Sequence, residues 1–159
     1  MTETPDSANA PVVARLRAWR PHAIADVQSF RGELTLYIPR TEIRRVGEFL
    51  AREPDLSFAY LSDITAVDRF PLEPRFDLNY HVLSIPRREA LRLRVLLPGV
   101  SPGVESVVPV WPTANWHERE IFDLFGVHFE GHPDLRRLLM PENWEGHPLR
   151  KDYPVEGFR

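Results

Sequence analysis

The chain has 159 residues, 43% of them hydrophobic, which suits one folded unit with a core of its own. A formal net charge of −3 and a pI of about 6.1 exclude a global positive field that would gather nucleic acid or anionic lipid. Cysteine is absent, which removes disulfides, thiolate nucleophiles, zinc-thiolate sites and cysteine-held iron–sulfur clusters.

Residues 1–10 are small and polar and carry no signal-peptide core, so a flexible N-terminal tail is expected. After Pro11, Val12, Val13, Leu16 and Trp19 recur at helical spacing until Arg20-Pro21 stops them. Ala23 to Val27 and Leu34 to Ile38 favour strands, and Arg31-Gly32 between them can turn a hairpin. Thr41 is the expected cap of a second helix, whose stripe is Ile43, Val46, Phe49 and Leu50. A third strand is expected within Phe58 to Val67.

Two runs then alternate with period two. Phe76, Leu78, Tyr80 and Val82 share one face, as do Leu91, Leu93, Val95 and Leu97. Asp77, Asn79, His81, Arg92 and Arg94 fall opposite, so that face should be partly wet. The order predicts an α+β fold: a two-layer sandwich with a mixed or mostly antiparallel sheet and helices on one face, over residues 11–112. No apolar run approaches the ~20 residues of a membrane-spanning helix, so a soluble, cytoplasmic chain with no direct membrane span is expected.

From Pro98 onward Pro and Gly interrupt regular structure, leaving one last helix over Thr113 to Phe125, capped by Thr113 and ended by Gly126. Residues 113–159 thus read as a helix followed by a long irregular docking tail. Phe129, Leu135, Leu138, Leu139, Met140, Trp144 and Leu149 are too many large apolar groups for a solvated segment. Five left exposed would forgo roughly 10 kcal/mol of burial, so they should pack partly on this chain and partly on another.

Four of the six histidines lie between His117 and Tyr153 among Glu118, Glu120, Asp123, Asp134 and Asp152, which raises a metal-dependent enzyme. His117-Glu118 begins like the zinc-protease helix motif, but position 121 is Ile, so the second imidazole is missing. Ser106, His132 and Asp134 lack the strained elbow of a serine hydrolase. Neither glycine-rich phosphate cradle is present, and the pairs Arg136-Arg137 and Arg150-Lys151 are too isolated for nucleic acid. The helix carboxylates are instead expected to meet Arg136, Arg137 or Arg150 in a network that shapes the tail. Gly131-His132-Pro133-Asp134-Leu135-Arg136 is echoed by Gly146-His147-Pro148-Leu149-Arg150, suggesting two similar clamps on one partner, with His132 and His147 in structural hydrogen bonds.

Trp116, Glu118, Arg119 and Glu120, then Asp123, Phe125 and Gly126, then Gly131, His132, Pro133, Leu135, Arg136 and Arg137, then Gly146, His147, Pro148, Arg150, Lys151, Asp152 and Tyr153, together form a dense pattern. It closely resembles the C subunits of bacterial NADH-quinone oxidoreductase, the 30 kDa subunit family of respiratory complex I. His117 stands where the family often has an aromatic residue, and Val127 replaces a common Ile. The resemblance implies a non-catalytic subunit of the hydrophilic arm beside the D subunit, which helps form the quinone pocket, on the cytoplasmic face of the bacterial inner membrane. It also implies no cofactor in this chain, with FMN and iron–sulfur clusters in partner subunits, and marks the residues just named as positions for assembly. Membrane-bound hydrogenases and related dehydrogenases use a similar domain, and an adaptor outside any redox assembly is the remaining alternative.

Overall fold

The computed structural model describes residues 10–157. Residues 1–9 of the expected flexible tail lie outside them. Helix α1, Pro11–Trp19, starts on its proline and buries Val12, Val13 and Leu16. Trp19 stacks on Phe49 with ring centroids 4.4 Å apart. Pro21 then opens a 3-10 turn through Ala23, so strand β1 is Asp26–Phe30, three residues later than the expected start at Ala23. It pairs with β2, Glu33–Tyr37, across Arg31-Gly32. Both turn residues are left-handed, with φ of 51° and 83°, the geometry that matches the twist of a two-residue hairpin.

Helix α2, Ile43–Arg52, buries Ile43, Val46 and Leu50. Glu42, not the expected Thr41, stands at its N-cap, and no side-chain cap bond forms there. A Cβ on Gly47 would lie 2.9 Å from the indole of Trp111, so this glycine lets the ring seat on the helix. That ring is anchored at its other end, where its N–H donates to the Phe58 carbonyl at 3.1 Å.

Strands β3, Tyr60–Asp68, β4, Phe76–Ser84, and β5, Glu89–Leu97, complete a sheet ordered β1-β2-β5-β4-β3. It is mixed: β5 is antiparallel to β4 but parallel to β2, with Leu36 opposite Leu93. The chain crosses from β2 through α2 to the far edge, and two antiparallel returns bring β5 back beside β2. Leu78, Tyr80, Leu93 and Val95 are buried on the same face as Val27 and Leu36, where the helices cover them. The opposite face is only partly wet. Asp77 is buried there because Arg94 lies across it, donating to its carboxylate and resting 5.0 Å over the Tyr37 ring.

Helix α3, Ala114–Phe125, follows Thr113, which makes no side-chain cap bond, and ends on left-handed Gly126 with φ of 72°. Ala114 and Ile121 of α3, with Val127 and Phe129 beyond it, belong to the same core as the sheet. A second sheet escaped the periodicity: β6, Gly103–Glu105, pairs in parallel with β7, His128–Glu130. Three residues are too few to display alternation. Residues 131–157 contain turns and bends but no helix or strand.

Candidate functional site

The irregular segment is organised by Asp123, whose side chain is fully buried near the end of α3. Its Oδ2 accepts three consecutive backbone N–H bonds, from Leu138 at 3.0 Å, Leu139 at 2.7 Å and Met140 at 2.8 Å. Its Oδ1 accepts from Arg137 at 2.6 Å. Burial pushes this carboxyl upward, but the Met140, Leu139 and Leu138 N–H groups and the Arg137 guanidinium outweigh it and hold it below the usual range. Arg137 also donates to the carbonyls of Trp144 and Gly146 at 2.9 and 3.0 Å, so one guanidinium ties two turns of the tail to the helix.

The network expected between helix carboxylates and tail arginines thus exists at Asp123 and Arg137. Arg119, on the same helix, donates to the carbonyls of Arg136 and Arg137, both at 3.2 Å. The other two expected arginines differ from expectation. Arg150 meets carbonyls instead of a carboxylate, donating to Phe125 at 2.6 Å while its guanidinium sits 5.3 Å over the Phe76 ring. The last turn of any helix leaves carbonyls without intrahelical donors, and an arginine satisfies them well. Among the described residues Arg136 pairs with exposed Asp134, a contact of little weight.

The two echoed motifs grip opposite ends of α3 in this same chain. Gly131 and Gly146 are both left-handed, with φ of 76° and 77°. His132 Nδ1 accepts the Asp134 N–H at 3.0 Å and its Nε2 faces the Asn115 carbonyl at 3.4 Å, near the start of the helix. His147 uses the other nitrogen, with Nδ1 2.9 Å from the Asp123 carbonyl near its end. Burial holds both imidazoles below their ordinary pKa. Against His147 lies Gly126, where a Cβ would come within 2.5 Å of the imidazole and 2.7 Å of the Arg150 guanidinium.

Two residues that periodicity did not single out hold the far end of the tail. Arg75 binds Asp68 through Nε at 2.9 Å and Nη2 at 2.8 Å, and binds Asp152 through Nη1 at 2.9 Å and Nη2 at 2.6 Å. Asp68 also accepts the Lys151 N–H at 2.9 Å. Burial would raise its carboxyl, but Arg75 and the Lys151 and Phe70 N–H groups bring it down to about 2. The signal was present: Asp68 continues the core-facing alternation of Ile64 and Ala66, opposite Phe76. A charge at an apolar position needs a partner.

Glu118 is also fully buried, with its Oε1 accepting the Val107 N–H at 2.7 Å and its Oε2 the Ser106 hydroxyl at 2.6 Å. Burial pushes it up to about 7, against the lowering pull of those two bonds. Ser106, far from being a free nucleophile, is itself buried and holds this carboxyl. Among the described residues, no group of three or more His, Asp or Glu is placed to hold a metal ion.

The remaining signature residues surround these contacts. Phe125 packs edge-on to Phe76 at 6.5 Å, and Leu135 packs against the core. Pro148 is half-buried, while Pro133, Glu120 and Lys151 are exposed. Tyr153 donates its hydroxyl to the Glu145 carbonyl at 3.3 Å. Trp116 is 60% exposed with the Arg119 guanidinium 5.2 Å from its ring. Leu139, Trp144, Leu149 and Val155 also point outward. The arrangement therefore fixes backbone and presents apolar groups, and no helix among the described residues is long and apolar enough to cross a membrane.

Comparison with known proteins matches residues 36–159 to the family model described as the 30 kDa subunit of respiratory-chain NADH dehydrogenase. The NADH-quinone oxidoreductase C subunit of Roseiflexus sp. (strain RS-1) is 48% identical over 92% of this chain and 84% of its own length. The protein of the same name from Geobacter sulfurreducens is 43% identical over 94% of this chain and 91% of its own. Among solved structures, a trypsin-resistant fragment of Nqo5 superposes with a TM-score of 0.65 at 30% identity, covering 78% of this chain and 99% of the fragment. A chain of the membrane-bound sulfane sulfur reductase, an archaeal respiratory membrane complex, superposes with a TM-score of 0.72 at 25% identity, covering 91% of this chain and 84% of its own. With the family model spanning most of the chain, this protein belongs to the 30 kDa subunit family of respiratory-chain NADH dehydrogenase, the family of the NADH-quinone oxidoreductase C subunits.

Proposed function

We propose that this chain is a non-catalytic subunit of the hydrophilic arm of a proton-translocating NADH-quinone oxidoreductase, docked beside its quinone-site partner, the D subunit. It carries no cofactor; FMN and the iron–sulfur clusters reside in partner subunits, and the assembly lies on the cytoplasmic face of the bacterial inner membrane. One observation carries this reading: the 131–157 segment has a defined backbone yet turns large apolar groups to solvent. Leu139 is 61% exposed and Leu149 52%, although Asp123, Arg137 and Arg75 fix the chain around them. Apolar groups held outward on a preorganised backbone suit docking, because less ordering entropy is lost on association.

The test is to tag the chain in its native membranes, solubilise gently, and measure co-eluting subunits together with NADH-to-quinone electron transfer. A cluster-containing complex active with NADH is expected, and truncation before Arg136 should abolish its assembly. A fully assembled, quinone-reducing complex from the truncated chain would overturn the docking role. The likeness to a chain of the sulfane sulfur reductase supports a second reading, an equivalent subunit in an assembly with another donor or acceptor. A purified complex inert to NADH but active with another reductant would favour it.

A further inference from the structure

Glu118 is buried on α3 with two hydrogen-bond donors and, among the described residues, no ion pair to Lys or Arg. The groups facing it are Ser106 from the segment after β6, Tyr80 from β4, and His132 from the turn after β7. Arg119, its neighbour on the helix, is turned away to the Arg136 and Arg137 carbonyls. Among the described residues the Tyr80 hydroxyl and the Asn115 Oδ1 are buried with no hydrogen-bond partner, so the surroundings already contain underused polar atoms. His132, whose side chain is fully buried, has its Nε2 3.9 Å from Glu118 Oε2 and 3.4 Å from the Asn115 carbonyl. Because its Nδ1 accepts the Asp134 N–H, the ring is neutral and the proton sits on Nε2.

We propose that Glu118 is an internal proton-binding site, and that loss of its proton draws the His132 ring from the Asn115 carbonyl toward the carboxylate, shifting the 131–134 turn against α3. With the proton present, the carboxyl is neutral and two neighbours suffice. Once the proton passes to water, a buried carboxylate with only two donors needs a third. The His132 Nε2–H, which faces the Asn115 carbonyl and lies 3.9 Å from Glu118 Oε2, needs only to exchange one acceptor for another; the imidazole keeps its own proton throughout. Burial places this exchange at about pH 7. The site links β4, the β6–β7 pair and α3, so its protonation adjusts the base from which the 135–157 segment departs.

The full chain, labelled with carboxyl-13C glutamate and ring-15N histidine, is titrated between about pH 5 and pH 9 by NMR. One glutamate should titrate at about pH 7, and the His132 Nε2 resonance should move with the same midpoint. In Glu118→Gln both changes should vanish. If every glutamate titrates in the ordinary carboxylate range, the site does not exist. A His132 step that survives in Glu118→Gln would remove the coupling. If that variant does not fold, the wild-type titration decides alone, since non-coincident midpoints for the glutamate and His132 overturn the proposal.

Discussion

In the five-stranded sheet, every second side chain enters one apolar layer, and neighbours such as Leu78, Leu93 and Leu36 cover for one another. The 131–157 segment has no layer of this kind. Its shape depends on a few charged side chains that each satisfy several backbone groups: Asp123 receives three N–H bonds and a guanidinium, and Arg75 grips two carboxylates. Apolar packing is redundant and insensitive to detail, whereas a buried polar hub is costly once a single member is lost.

Asp123→Ala should break this comparison open most severely. It strands three part-buried N–H groups and Arg137, a loss of about 3–5 kcal/mol. Hydrogen exchange should show Leu138, Leu139 and Met140 unprotected while β4 and β5 amides stay slow. Leu93→Ala, which costs about 2–5 kcal/mol by opening a cavity, should instead lower protection across the whole sheet. Retained protection at Leu138 to Met140 in Asp123→Ala would mean the segment has an apolar anchor of its own.

Arg75→Ala comes next, at about 3 kcal/mol, since it leaves Asp68 buried with a charge and no cation. Here the freed residues should be 151–157 alone, read as faster exchange at Lys151 and Tyr153. Joint release with the Asp123 hub would show that the two hold one cooperative unit. Gly126→Ala should cost roughly 2–3 kcal/mol, combining the left-handed backbone with a Cβ driven into His147 and Arg150. Gly131→Ala has a similar φ but open space around it, so its loss of thermal stability should be the smaller. Equal losses would show that the ring simply moves aside.

The same contrast explains what the sequence made legible. Helical spacing located α1 and α2, and period-two alternation located β4 and β5, because each has a face that repeats often enough to count; β2 was readable from strand-favouring residues, and α3 from its end at Gly126. Alternation says nothing about which strand lies beside which, so the parallel β2–β5 pairing was invisible, as were the three-residue strands β6 and β7. In the candidate site the participants were readable from Asp123, Arg137 and the two Gly-His-Pro motifs. Their partners were less so: the orphan carbonyls of Phe125 and Gly126 are backbone groups, without a residue code. Arg150 could be expected to bind an acceptor, but only the position of the helix end identifies which.

Acid should release the far end of the segment before the sheet yields, and this is the smallest effect of the set. The Asp68 carboxyl falls from 3.8 to about 2 in the folded chain. A depressed carboxyl contributes stability that is complete above its unfolded value and is lost as pH drops through the folded one, about 2 kcal/mol here. Asp152 and Asp123 are lowered too and act in the same direction, Asp152 through Arg75, and Asp123 because its N–H donors and Arg137 outweigh burial. Glu118 has the opposite sign: its raised pKa removes stability as pH climbs from 4.5 to about 7, so the two windows do not overlap. Urea unfolding compared at about pH 5 and pH 2.5 should therefore show wild type losing more stability than Asp68→Asn, which lacks the titrating group. Equal losses would place the acid sensitivity at Asp123 instead, and make the Arg75 clamp subordinate to the hub on α3.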